Sequence, residues 1–204
     1  MNDGLNTLAT ENAMKKRSFL LAAAAASALA LSACSTTGPS ADKADPASKR
    51  TAIDAGVDSA LANLYAQAPG SRELVAKASG VLVFPSVVSA GFVVGGSYGQ
   101  GALRVGGKST GYYSTAAGSV GLLAGAETKS MYILFMTPEA LAKFQASNGW
   151  TAGVDASVTL VKVGAEASGT TATVQEPVIG YVLTKGGLMA NLSFDGTKIT
   201  RLEL

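Results

Sequence analysis

Two periods divide the chain. Over residues 49–68 the apolar side chains Ile53, Val57, Leu61, Leu64 and Tyr65 recur at spacings of three and four, one stripe of a helix. Ser48 stands where an N-cap would, and Pro69-Gly70 where the helix must stop. Ser71 is placed to cap a second, shorter helix through Arg72, Glu73, Leu74, Val75 and Lys77. From Gly80 the pattern changes. Val81-Leu82-Val83-Phe84 is a continuous apolar run that Pro85 stops, and a second run covers residues 90–94. Glycines follow at 91, 95, 96, 99, 101, 106 and 107. Short β-branched and aromatic runs broken by Gly and Pro predict strands of an antiparallel sheet. Glycines inside those strands imply bulges and close backbone approach, hence a strongly bent sheet.

Further strands are predicted at 112–115, 120–126, 130–136 and 178–184, with an alternating strand over 154–160. Thr137-Pro138-Glu139 reads as a helix start, with Thr as cap, Pro at the first position and an acid in the first turn. That helix should run to about Ser147 and end at Asn148-Gly149. Asp195-Gly196 predicts a type I′ turn joining strands 188–194 and 198–204. The fold class is α+β. N-terminal helices pack on a Gly-rich, strongly bent antiparallel β-sheet or barrel, with one further short helix (about 138–147) inserted between strands. The pattern does not contain the strand order.

Composition removes several functions. The chain has 204 residues, 15% of them charged, and a formal net charge of +2, so no basic footprint for nucleic acid exists. It contains no histidine, the commonest general base and metal ligand. Gly107-Lys108-Ser109 fails as a phosphate loop, because Ala102 stands where the first glycine belongs and strand-like residues follow. Gly96-Ser-Tyr-Gly99-Gln-Gly101 is not the dinucleotide order. Ser114, Ser119 and Ser130 lack a base, and Asp155 with Glu166 read as exposed turn or strand carboxylates. Trp150 reads first as core, second as an interfacial ring. The expectation is a non-enzymatic protein with no catalytic, metal or cofactor residues.

The N-terminus carries a different signal. Lys15-Lys16-Arg17 precedes the apolar segment 18–31, too short to span a bilayer and suited to a signal peptide. Leu31-Ser32-Ala33-Cys34 then resembles the bacterial lipobox, in which the cysteine receives diacylglycerol. On that resemblance residues 1–33 are removed, signal and N-terminal extension together, and Cys34 is the acylated first residue. Ser35 in place of Asp favours the outer membrane by the lipoprotein sorting rule. Residues 35–48, small, polar and Pro-containing, read as a flexible tether of about 45 Å when extended. Without the first 33 residues the chain holds 13 basic and 12 acidic side chains. Residues 49–204 form a single domain.

That domain resembles the SYLF family over about residues 60–204. The resemblance rests on Lys77-Ala-Ser-Gly80-Val81, Phe84-Pro85, Ala90-Gly91-Phe92, Gly95 and Gly99-Gln-Gly101, followed by Tyr113-Ser114. It continues through the strand 131–136, the helix with Phe144, residues 181–188 and Gly196. It implies lipid binding, since eukaryotic relatives associate with phosphoinositide membranes and some bind actin, while bacterial members are commonly exported lipoproteins. This chain departs from the family in having Tyr113 for a tryptophan and a charge-balanced N-terminal helix. A bacterial envelope offers phosphatidylglycerol, cardiolipin or lipopolysaccharide in place of phosphoinositides. No residue matches an actin site.

The leading expectation is a phospholipid-binding domain held at the membrane by Cys34. Its candidate head-group contacts are Lys49, Arg50, Arg72, Lys77, Arg104 and Lys108, each contributing about 1 kcal/mol beside an anionic surface. The idea requires several of them on one face. The alternative is an envelope scaffold that binds an envelope or host protein partner and touches lipid only through its anchor. It predicts an exposed apolar or aromatic patch without a basic rim.

Overall fold

Alternation explains the centre of the sheet. Strand β1 (Gly80–Gly91) sends Leu82 and Phe84 to one side and Val81 and Val83 to the other. Strand β4 (Gly125–Phe135) does the same with Met131, Ile133 and Phe135 against Tyr132 and Leu134. Both sides are buried, so each strand reads as an unbroken apolar run. The structure is a computed structural model that describes residues 45–91, 94–120, 125–161, 176–184, 187–188, 194 and 196–204.

The remaining strands are β2 (Val94–Val105), β3 (Lys108–Val120), β5 (Trp150–Thr151), β6 (Thr159–Leu160), β7 (Val178–Thr184), β8 (Gly187–Leu188) and β9 (Lys198–Leu202). Among the described residues the nine strands form one sheet in the order β5-β9-β3-β2-β1-β4-β7-β6, with β8 also on β7. Every pairing is antiparallel except β6 with β7. A flat sheet would hold β5 and β6 about 34 Å apart, seven spacings of roughly 4.8 Å. Eight residue steps from Thr151 to Thr159 reach only about 27 Å. The sheet therefore curls, as its glycines predict.

Helices cover both sides of the curl. Helix α1 (Pro46–Gln67) buries Ile53, Val57, Ala60 and Leu64 against the side holding Val81, Val83, Tyr132 and Leu134. Helix α2 (Ser71–Lys77) adds Leu74 there. Helix α3 (Pro138–Ala146) fills the opposite side with Leu141 and Phe144. Phe144 meets Tyr113 at 4.9 Å, Phe135 at 4.7 Å and Trp150 at 5.8 Å between ring centroids, so Trp150 is core. Asp45–Leu204 is a compact unit holding both cores.

Several boundaries differ from expectation, each for a local reason. Helix α1 begins at Pro46, inside the expected tether, because proline suits a first helical position; neither Ser48 nor Asp45 caps it through a side chain. Ser71 lies inside α2 with its hydroxyl donated to the Leu64 carbonyl, and Gly70 takes the cap position at φ 80°. Pro85 does not end β1. It sits in a bulge, where the register shifts against both β2 and β4, and where a missing N–H is tolerated. Opposite that bulge a Cβ on Gly101 would strike the Val83 carbonyl oxygen.

Thr137 does cap α3, accepting from the Ala140 N–H at 3.2 Å. The alternating strand expected over 154–160 is only β6. Residues 153–155 turn instead, with the Asp155 carboxylate accepting from the Thr151 N–H. Leu188 pairs with Leu183 of β7, and β9 pairs with β3 and β5, so 188 and 198–202 are not seen paired to each other. The rest of that expected hairpin (189–193 and 195), the signal segment, Cys34, most of the tether and Glu166 lie outside the described residues.

Candidate functional site

The turn joining β2 to β3 is Gly106-Gly107, at φ 57° and 81°, the pair of left-handed residues a two-residue hairpin needs. It carries Arg104 and Ser109 up to the flank of α1. Asp54 on that flank accepts from the Ser109 hydroxyl at 2.6 Å and the Tyr112 hydroxyl at 2.9 Å. Arg104 Nη2 donates to Asp58 at 2.8 Å and to the Asp54 backbone carbonyl at 3.3 Å, while Nη1 donates to the Gly107 carbonyl at 3.1 Å. Its side chain is only 16% exposed, and its Nε is buried without a partner. Arg104 is thus a tie between helix and hairpin, with its charge answered by Asp54 and Asp58. Burial pushes the Tyr112 phenol up, and the bond to Asp54 pushes it further.

Arg72 is placed otherwise. The residue is exposed, and its guanidinium lies 4.2 Å from the centroid of the Tyr65 ring. Burial raises the Tyr65 phenol, with the Arg72 charge pulling the other way. The two residues stand at a groove of about 410 Å³ between α1, α2 and the β2–β3 turn, walled by Leu61, Val75, Ala78 and Val81. Among the described residues Arg72 makes no ion pair. A second groove of about 350 Å³ brings Arg50 together with Ser109, Tyr112 and Arg201. Lys108 follows Gly107 in the turn, and Lys77 ends α2 beside the first groove. Lys49 is half-buried on α1.

Five of the six expected basic residues therefore gather around the end of the sheet where β2 turns into β3. Acids interleave with them, among them Asp54, Asp58 and Glu73. The sequence reading missed Asp54, Tyr65 and Arg201. Asp54 and Asp58 are spaced i, i+4 beside the apolar stripe, a legible signal for a flank with a basic partner.

The other end of the sheet differs in character. Residues 86–91 and 94–100, with 115–120 and 125–129, pair as a four-stranded blade. Its outer face continues the side that α1 covers. Val88, Val94 and Tyr98 on it are 48%, 71% and 52% exposed. Among the described residues no cluster of acids, cysteines or histidines could hold a metal, and no helix is long and apolar enough to cross a membrane.

Residues 116–203 match the Ysc84 family, described as Las17-binding protein actin regulator. No curated protein matches the chain.

Proposed function

With residues 116–203 carrying the SYLF (Ysc84) family match, we propose that the chain is a non-enzymatic lipoprotein, anchored through an acylated Cys34, whose domain binds anionic phospholipid head groups. One observation carries this reading. Arg72, stacked on Tyr65 and without an ion pair among the described residues, stands at a groove walled largely by apolar side chains, so one cation and one apolar slot lie side by side. A phospholipid offers the complement, a phosphate next to an acyl chain. Arg50 and Arg201 at the neighbouring groove, beside Glu203, add further positive charge. Arg104 is left out of the binding set because its charge is already matched. The anchor puts the protein in the bacterial cell envelope, by the sorting rule at the outer membrane.

Co-sedimentation of residues 45–204 with phosphatidylglycerol, cardiolipin and neutral vesicles tests the reading. Binding should favour anionic vesicles and weaken with salt. Arg72→Glu should weaken it about 25-fold, from two charges at about 1 kcal/mol each, while Lys143→Glu on α3 should change little. Equal binding of all vesicles, or an indifferent Arg72→Glu, would contradict it.

A second reading has its own observation. The blade's outer face is exposed and, among the described residues, has no basic rim, which suits a scaffold that captures a protein partner. The family description, with its Las17-binding and actin-regulating terms, names protein partners of that kind.

A further inference from the structure

The groove beside Arg72 combines three chemistries. Its apolar walls are Leu61 from α1, Val75 and Ala76 from α2, Ala78 just after it, and Val81 from β1. On the remaining side stands the β2–β3 turn, where Gly106 and Gly107 present no side chains and a Cβ on either would meet nothing within 4 Å. That side is bare backbone, which leaves the slot open to a flexible chain. Arg72 supplies a cation, with the Tyr65 ring centroid 4.2 Å from its guanidinium. Asp58 lines the same groove and supplies an acceptor. Its carboxylate is 68% exposed, and its Oδ1 takes Arg104 Nη2 at 2.8 Å. Arg104 is also in the groove wall and offsets this acid, so Asp58 does not cancel the charge of Arg72. A carboxylate already holding one donor still has lone pairs for others.

We propose that this groove binds a lysophospholipid as a single molecule. The one acyl chain lies along the apolar walls, the phosphodiester meets Arg72, and the hydroxyls of a glycerol head group donate to Asp58. The proposal rests on the phospholipid reading above and deepens it from a lipid surface to one class of ligand. Charge selects the head. A fatty acid brings an oxyanion and no donor for Asp58, whereas a hydroxylated phosphodiester brings both, and the guanidinium fork meets two phosphate oxygens at once. Volume selects the number of chains. At roughly 30 Å³ for each water-sized group, about 410 Å³ holds about fourteen of them; a methylene is close to that size, so one chain fits and two do not. The hollow on the far side of Tyr65, of about 520 Å³, shares Asp58, Leu61 and Arg72. It adds only Ala62 and Ala66, whose methyls give a second chain little to pack against.

Calorimetric titration of residues 45–204 with lysophosphatidylglycerols of eight, ten and twelve carbons, each below its micelle concentration, tests this. Affinity should rise at least about twofold per methylene, against about fourfold for full burial. Laurate should bind about tenfold more weakly than the lauroyl lysolipid, for want of the head-group bond. Dioctanoyl phosphatidylglycerol monomers should bind no more tightly than the octanoyl lysolipid. Arg72→Gln should weaken the lysolipid about tenfold. Ala76→Trp, at an exposed position on the groove wall, should block the slot with an unchanged melting temperature. If it lowers the melting temperature, the chain-length series decides. No binding, indifference to chain length, or full affinity in Arg72→Gln or in a stably folded Ala76→Trp overturns the proposal. Equal binding of laurate makes the occupant a fatty acid, and tighter binding of the diacyl lipid makes it a two-chain site; either result also overturns it. If anionic vesicles bind through Arg72 while lysolipid monomers do not, this proposal fails and the phospholipid reading stands. If monomers bind and no vesicle sediments the protein, the surface reading fails and the single-molecule site stands.

Discussion

The base and the blade of the sheet share four strands and almost nothing else. In the base β1 alternates Val81, Leu82, Val83 and Phe84 between two buried sides, each covered by a helix. A few residues on, past the Pro85 bulge, the same strand runs Val87, Val88, Ser89, Ala90, and its outer positions lie open. Charge separates them too. Arg50, Arg72, Lys77, Arg104 and Lys108 gather at the base, while among the described residues the blade's outer face has none. One pattern of strand pairing thus supports a rigid core and an exposed sheet, and side-chain size and charge decide which. That division sets a base covered by helices against a blade whose outer face is open.

The largest effect should come from the aromatic cluster. Phe135→Ala, emptying the space between Phe144 and Trp150, should lower stability by about 3–5 kcal/mol in urea titration, while Val88→Ala should stay within about 0.5 kcal/mol. A comparable cost at Val88 would erase the distinction. Glycines sharpen it next. Gly101→Ala drives a methyl into the Val83 carbonyl and should cost up to about 3 kcal/mol, whereas Gly118→Ala, in open space, should be neutral or stabilise by about 0.5 kcal/mol.

The tie at the base ranks third. Asp54→Ala removes the acceptor of the Ser109 and Tyr112 hydroxyls and should cost about 2 kcal/mol. Asp58→Ala, breaking a pair whose carboxylate is 68% exposed, should cost under about 0.5 kcal/mol. The smallest effect at neutral pH concerns Tyr181. Burial pushes its phenol from 10.0 up to about 12. The neutral form is the one the fold favours, so this contribution is complete below pH 10 and is lost as pH rises towards 12. Melting temperatures should fall over that window, and Tyr181→Phe should flatten the fall.

Much of the base was legible because its signals are local. The i, i+3, i+4 stripe gave α1, Thr137-Pro138 gave α3, and the apolar runs gave the central strands. Pro85 misled, because whether a proline ends a strand or sits in a bulge depends on what the neighbouring strands supply, here Gly99 and Gly101. The expected strand over 154–160 failed because the pattern cannot report that Asp155 folds back on Thr151. The basic residues were found by type, but Arg104 and Arg72 look alike in sequence. Only the crossing of the β2–β3 turn against Asp54 and Asp58 sets one apart as a tie and leaves the other open.

Amide hydrogen exchange of residues 45–204, free and bound to phosphatidylglycerol vesicles, tests the division most directly. The account predicts added protection at α2 and the β2–β3 turn, with α3 unchanged. Protection gained chiefly at α3, or none anywhere on binding, would contradict it.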